Sequence, residues 1–214
     1  MKKVCMDRQQ TFGEELANTL SHGIGALLAL VGMIPLAVGG FSSGSSLRLV
    51  SLVAYGFSLV LLYASSAAYH LVRSPALKAK LRVLDHCSIY LLILGTYIPM
   101  SLLVVGGPTG KLLCLTNGVL AVVGITLSAI DLRRFDRLSL VLYAMMGWLV
   151  VVAIRSIVRA LPPLELALLA GGGVAYTAGI IFYKWDKRYM HFIWHLFVMV
   201  GSALQYACIV LCCL

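Results

Sequence analysis

Seven stretches of apolar residues, roughly 18–40, 47–71, 83–105, 112–130, 138–158, 164–183 and 190–213, constrain this chain more than any other feature. A bilayer core about 30 Å thick is crossed by a helix of about 20 apolar residues. Each stretch is long enough to cross, and the connections between them are short. Only 12% of the residues are charged, against about 25% in soluble domains. A water-soluble fold would have almost no wettable surface. The chain therefore reads as an all-α membrane protein, a seven-transmembrane-helix bundle of antiparallel neighbours in a single domain over 1–214. Residues 1–15 form a short segment ahead of the bundle and do not read as a signal peptide.

Lysine and arginine placement orients the bundle. Thirteen of the 17 fall on one side: Lys2, Lys3 and Arg8, then Arg73, Lys78, Lys80 and Arg82, then Arg133, Arg134 and Arg137, then Lys184, Lys187 and Arg188. Arg48, Lys111, Arg155 and Arg159 fall on the other. Positive residues stay inside, so the N-terminus is expected in the cytoplasm and the C-terminus outside, in the cell (inner) membrane. The net charge of +9 marks these loops. No basic run with interleaved aromatics is present, which excludes nucleic acid as a partner. The expected partners are membrane lipids, and the oligomeric state is left open. The six cysteines show no Cys-x-x-Cys spacing and read as small hydrophobes, five of them within apolar stretches and Cys5 ahead of the first.

Ionisable residues inside spans are costly and are functional candidates. Here they gather at one end. His22 and Asn18 open the first stretch, His70 closes the second, Asp85 and His86 open the third, and His191 and His195 open the seventh. At 1.5 Å per residue, Asp85 lies roughly 5 Å inside Arg82, and His195 roughly 10 Å inside Arg188. His191 and His195 are four apart, on one helical face, a spacing that suits two imidazoles on one metal ion. Ser66 shares a face with His70. Plainer roles are expected elsewhere. His22 reads as a helix-start histidine that bonds a backbone carbonyl or reaches out to the interface, and His86 as packing or as a hydrogen-bond partner behind the ligands. Ser66 could bond the carbonyl four residues back. Glu14 and Glu15 read as solvated residues at a helix start, and Asp131 and Asp136 as surface partners of arginines. Tyr183, Trp185, Tyr189 and Trp194 read as interfacial aromatics. Pro35 and Pro99 are expected to kink their helices, and Gly171-Gly172-Gly173 to admit a neighbouring backbone.

Three neutral imidazoles, from His70, His191 and His195, with an open fourth position, make a catalytic-type zinc site. Asp85 could then serve as base and Ser66 as hydrogen-bond donor beside the water. The motifs Ser66-Ala-Ala-Tyr-His70, Leu84-Asp85-His86, Gly95-Thr-Tyr-Ile-Pro99 and His191-Phe-Ile-Trp-His195 resemble the hemolysin III proteins of bacteria. That group belongs with the progestin and adipoQ receptors, which include the adiponectin receptors. The openings Glu14-Glu15-Leu-Ala-Asn18 and Ser21-His22-Gly23, and Gly172-Gly173-Val-Ala-Tyr176, fit the same family. The resemblance implies seven helices, a cytoplasmic N-terminus, and a zinc ion near the inner face held by His70, His191 and His195, with Asp85 and Ser66 near its water. It also implies kinship with alkaline ceramidases. The leading expectation is a zinc-dependent hydrolase of a lipid amide or ester, its lipid substrate held in the bundle interior. The alternatives are a receptor-like or membrane-homeostasis protein with a structural zinc, and a cytolytic protein.

Overall fold

The computed structural model describes residues 8–214, and among them there is no strand. Lys2, Lys3 and Cys5 lie outside the described residues. The helices are α1 (Phe12–Ser42), α2 (Ser46–Leu71), α3 (Pro75–Pro99), α4 (Gly107–Trp148), α5 (Ile154–Ala160), α6 (Pro163–Tyr183) and α7 (Met190–Cys213). Six helical stretches are long and apolar enough to cross a membrane.

α1 starts earlier than the apolar pattern predicts because Thr11 and Glu14 form a reciprocal cap. The Thr11 backbone N–H donates to Glu14 Oε2 at 2.9 Å, and the Glu14 N–H donates to Thr11 Oγ1 at 3.4 Å. α3 also starts early, at Pro75, whose missing N–H costs nothing in a first turn. Lys78, Lys80 and Arg82 therefore stand on a helix and not in a loop. Lys78 Nζ donates to the carbonyls of Tyr69 at 3.0 Å and Val72 at 3.4 Å, satisfying acceptors that the end of α2 leaves open. Pro99 ends α3, and a wider π turn over Met100–Val105 follows, which tolerates the donor that proline lacks. Pro35 lies within α1, which continues past it to Ser42.

The fourth apolar stretch, Gly107–Ala160, is 54 residues long. As a straight helix it would run about 80 Å, far beyond the bilayer core. It is broken at Asp131, where φ is −157° and ψ is 93°. The Asp131 carboxylate accepts the Arg134 N–H at 3.0 Å, the geometry of a helix N-cap. Its role is thus to start the returning arm, not to pair with an arginine at the surface. The two arms lie side by side: Asn117 Nδ2 donates to the Met146 carbonyl at 3.2 Å, and the Ser128 and Ser139 hydroxyls are 3.3 Å apart. The returning arm then tightens into a 3-10 turn, Leu149–Ala153, before α5. Tyr97 mends that junction. Its hydroxyl donates to the Gly147 carbonyl at 3.0 Å and accepts the Val150 N–H at 2.7 Å.

α1 packs on α2, α2 on α3, α3 on α4 and α6 on α7, and α7 also meets α1. Leu36, Leu52, Tyr55, Leu59, Leu62 and Ile209 form the middle of the core, while Leu27, Leu28, Val31 and Ile34 face outward. Small residues set two of the approaches. A Cβ on Gly172 would meet the Gln205 side-chain amide at 2.6 Å, so the glycines of α6 admit a side chain and not a neighbouring backbone. A Cβ on Gly40 would stand 2.8 Å from Leu49 Cα, a backbone atom that cannot swing away. Gly40→Ala is expected to destabilise the bundle by about 1–3 kcal/mol. A lowered melting temperature in detergent checks this.

A candidate metal centre at one end of the bundle

The last turn of α2 and the first turns of α7 bring His70, His191 and His195 together. One nitrogen from each ring lies within 4.8 Å of the others. Ring centroids are 5.1 Å apart for His70–His191, 5.2 Å for His70–His195 and 4.7 Å for His191–His195. The Nε2 atoms of all three are buried without a hydrogen-bond partner. Three converging polar atoms left unpaired in an apolar interior are costly. A divalent cation accepting their lone pairs would remove that cost, so the donor set fits zinc.

α1 sets which nitrogen faces the centre. The Glu15 carboxylate lies 2.7 Å from His70 Nδ1, and its other oxygen pairs with Lys78 Nζ at 2.9 Å. Ser21 Oγ donates to the Asn18 carbonyl at 2.9 Å and lies 3.2 Å from His195 Nδ1. With its proton already committed, that hydroxyl can only accept from the ring. Both contacts place the ring proton on Nδ1 and leave Nε2 bare, the tautomer a metal needs. Asn18 Nδ2 also lies 3.5 Å from His70 Nδ1 and donates to Gln10 Oε1 at 2.7 Å.

The start of α7 is fixed by another residue of α1. Tyr189 has φ of 61°, the left-handed region that a bulky side chain rarely enters. Its N–H donates to Glu14 Oε1 at 2.9 Å, and Glu14 is paired with Arg8. Glu14 is therefore buried and not solvated, while Glu15, part-exposed, reaches into the site. Exposure was expected because two acids before an apolar run resemble a helix start facing water. The fold instead lays the α7 approach and the α2 terminus over them.

Other expectations change for the same reason. His22 bonds no carbonyl. Its ring stacks on His195 with centroids 3.5 Å apart and planes 7° apart, meets Tyr63 edge-on at 5.0 Å, and keeps both nitrogens unpartnered. Tyr183 is buried and Trp194 packs 4.9 Å from His191, whereas Trp185 and Tyr189 remain exposed. Asp136 accepts the Tyr183 hydroxyl at 3.3 Å. His86 is buried, as a packing role requires. Ser66 Oγ makes no bond to its own helix; it is buried beside the Asp85 carboxylate without a formed hydrogen bond.

Asp85 is buried and opens onto a cavity of about 320 Å³. Asp85, Ile89, Leu92 and Thr96 line it from one face of α3, and Met100 of the π turn continues that line. Trp194 and Val198 line it from α7, and His22 from α1. Through His22, stacked on His195, and Trp194, packed on His191, the wall of this apolar cavity abuts the histidine cluster.

Residues 10–206 match the family described as haemolysin-III related. The chain belongs to the haemolysin-III-related family. Hemolysin-3 of Bacillus cereus is 40% identical over 197 residues, covering 92% of this chain and 90% of that protein. The Hemolysin-3 homolog of Bacillus subtilis (strain 168) is 38% identical over 204 residues, 95% and 96% of the two chains. The human monocyte to macrophage differentiation factor is 29% identical over 161 residues, 71% and 66% of the two chains. The kinship thus extends to the progestin and adipoQ receptor group. This haemolysin-III-related chain is a multi-pass protein of the cell membrane, and the matched region contains all three clustered histidines, Ser66, Asp85 and Glu15.

Glu15 and Ser21 are the site residues that sequence reading passed over. A signal existed: Glu15, Asn18 and His22 recur at helical spacing, one polar stripe on an apolar helix. Glu15→Ala is expected to weaken zinc binding about 10- to 100-fold by freeing the His70 ring. Competition against a chelator of known affinity checks it.

Proposed function

We propose that this haemolysin-III-related protein is an intramembrane, zinc-dependent hydrolase that cleaves an amide or ester bond of a membrane lipid. The observation that carries this reading is that three unbonded imidazole nitrogens cluster behind the wall of a long apolar cavity, which Asp85 lines together with His22, stacked on His195, and Trp194, packed on His191. Three histidines leave a fourth coordination position open, as in catalytic zinc sites, while structural sites use four protein ligands. Zinc bound there supplies a Lewis acid and a water whose pKa is lowered towards about 7.

The chain's own residues do the rest. Asp85 accepts the proton of the attacking water and returns it to the leaving group. The Ser66 hydroxyl, unspent on its own helix, donates to the charge that develops on the carbonyl oxygen. Glu15 and Ser21 hold the rings of His70 and His195 in orientation. The cavity takes the acyl chain and keeps bulk water from the scissile bond.

The same reading treats 1–214 as one domain of seven crossings, with Gly107–Ala160 counted as two. Its support is the length of that stretch and the hydrogen bonds between its arms. The N-terminus is placed in the cytoplasm and the C-terminus outside, which the lysine and arginine distribution supports.

The test is fatty-acid release from a panel of amide- and ester-linked lipids by the zinc-loaded protein and by His191→Ala. Release by the wild type alone is expected. If neither protein releases fatty acid and chelation only lowers the melting temperature, the zinc is a staple between α2 and α7 and the hydrolase reading is lost.

A further inference from the structure

We propose that Arg82, one helical turn from the Asp85 end of the cavity, is an anion-binding residue that takes the carboxylate or phosphate of an amphiphile whose chain lies inside. The proposal rests on the reading of the cavity as a lipid site and names the headgroup chemistry that site prefers.

Arg82 is half-buried on α3, one turn before Asp85. Its Nε is buried without a hydrogen-bond partner, and among the described residues the guanidinium forms no ion pair. Nearby cations are engaged. Arg8 pairs with Glu14, Lys78 with Glu15, and Arg73 lies over the Phe12 ring at 5.3 Å. Arg82 instead sits within electrostatic reach of Tyr69, Asp85, His86, Asp136 and His191. Neither carboxylate among these stands at ion-pair distance from it. One oxygen of Asp136 already takes the Tyr183 hydroxyl.

A partly desolvated guanidinium with an unspent N–H is costly. Its planar fork matches a carboxylate or a phosphate and offers little to a neutral alcohol. A chain threaded along Met100, Thr96, Leu92 and Ile89 reaches Asp85 at the cavity's polar end. Arg82 stands one helical turn, about 5 Å of rise, before Asp85. There the Asp85 carboxylate repels an anion, and Arg82 is the cation positioned to offset it. Carboxylate and phosphate share this chemistry, so a free long-chain acid and a lipid headgroup are both candidate sources.

The experiment measures binding of palmitate, 1-palmitoyl lysophosphatidylglycerol and hexadecanol to the full-length, zinc-loaded protein in a neutral detergent. The wild type is compared with Arg82→Gln and Arg82→Lys, and zinc content is measured in each. In Arg82→Gln, binding of palmitate, the lysophospholipid or both is expected to weaken about tenfold or more. Hexadecanol binding should stay within about twofold. Arg82→Lys, which keeps the charge without the fork, should recover part of the loss. Whichever anion shows the selective loss identifies the source. An equal loss for hexadecanol, no loss for either anion, or loss of zinc in Arg82→Gln overturns the assignment. If the wild type binds none of the three probes, the lipid-cavity reading falls and takes the assignment with it.

Discussion

His195→Ala is expected to abolish zinc binding and lower the melting temperature by roughly 10 °C at saturating metal. His195 is wholly buried, and its Nε2 is one of three that converge without partners. Two imidazoles from different helices hold zinc far less tightly than three, so the metal content of the purified protein should fall from about one ion to nearly none. Packing alone will also lower stability, because the ring stacks on His22 at 3.5 Å. Chelating the wild type separates the two effects. Its melting temperature should drop on chelation, while that of the variant should not move. Full metal content in the variant would remove His195 from the site.

Asp85→Asn should cost about 10²- to 10⁴-fold in lipid hydrolysis while leaving zinc in place. The carboxylate is buried beside Ser66 at the cavity's polar end, within electrostatic reach of His70. The amide has nearly the same shape but cannot take a proton from water. Zinc content and fatty-acid release, measured on the same preparation, check the prediction. Undiminished turnover would remove Asp85 as the base, and a lost metal would make it a ligand.

Much of this arrangement could be read from residue order. The spacing of His191 and His195, and the position of His70 at a helix end on the same side, point to the three imidazoles that the fold clusters. The break at Asp131 was expected within a polar connection, and the chain does turn back there. The returning arm was not foreseen to tighten over Leu149–Ala153, because its apolar pattern is the same for an α and a 3-10 turn. The burial of Glu14 and the half-burial of Glu15 are not legible locally, because a carboxylate ahead of an apolar helix looks alike whether water or protein faces it. What decides is the cover supplied by Tyr189 and by His70, residues 175 and 55 positions away. His22 was misplaced for a related reason. A ring that stacks on another ring leaves no mark in local spacing.

By itself the sequence determined that the chain lives in a membrane, how long its helices must be and where polar residues enter them. Those follow from hydropathy, helix rise and the cost of charge in hydrocarbon, all local properties. Only the tertiary structure decided which faces meet: that α1 supplies the carboxylate and hydroxyl steadying His70 and His195, that Glu14 holds the left-handed turn before α7, and that Arg82 Nε is buried without a hydrogen-bond partner among the described residues. Those depend on how helices rotate against one another. Packing of side chains from distant parts of the chain sets that rotation, and no single helix encodes it.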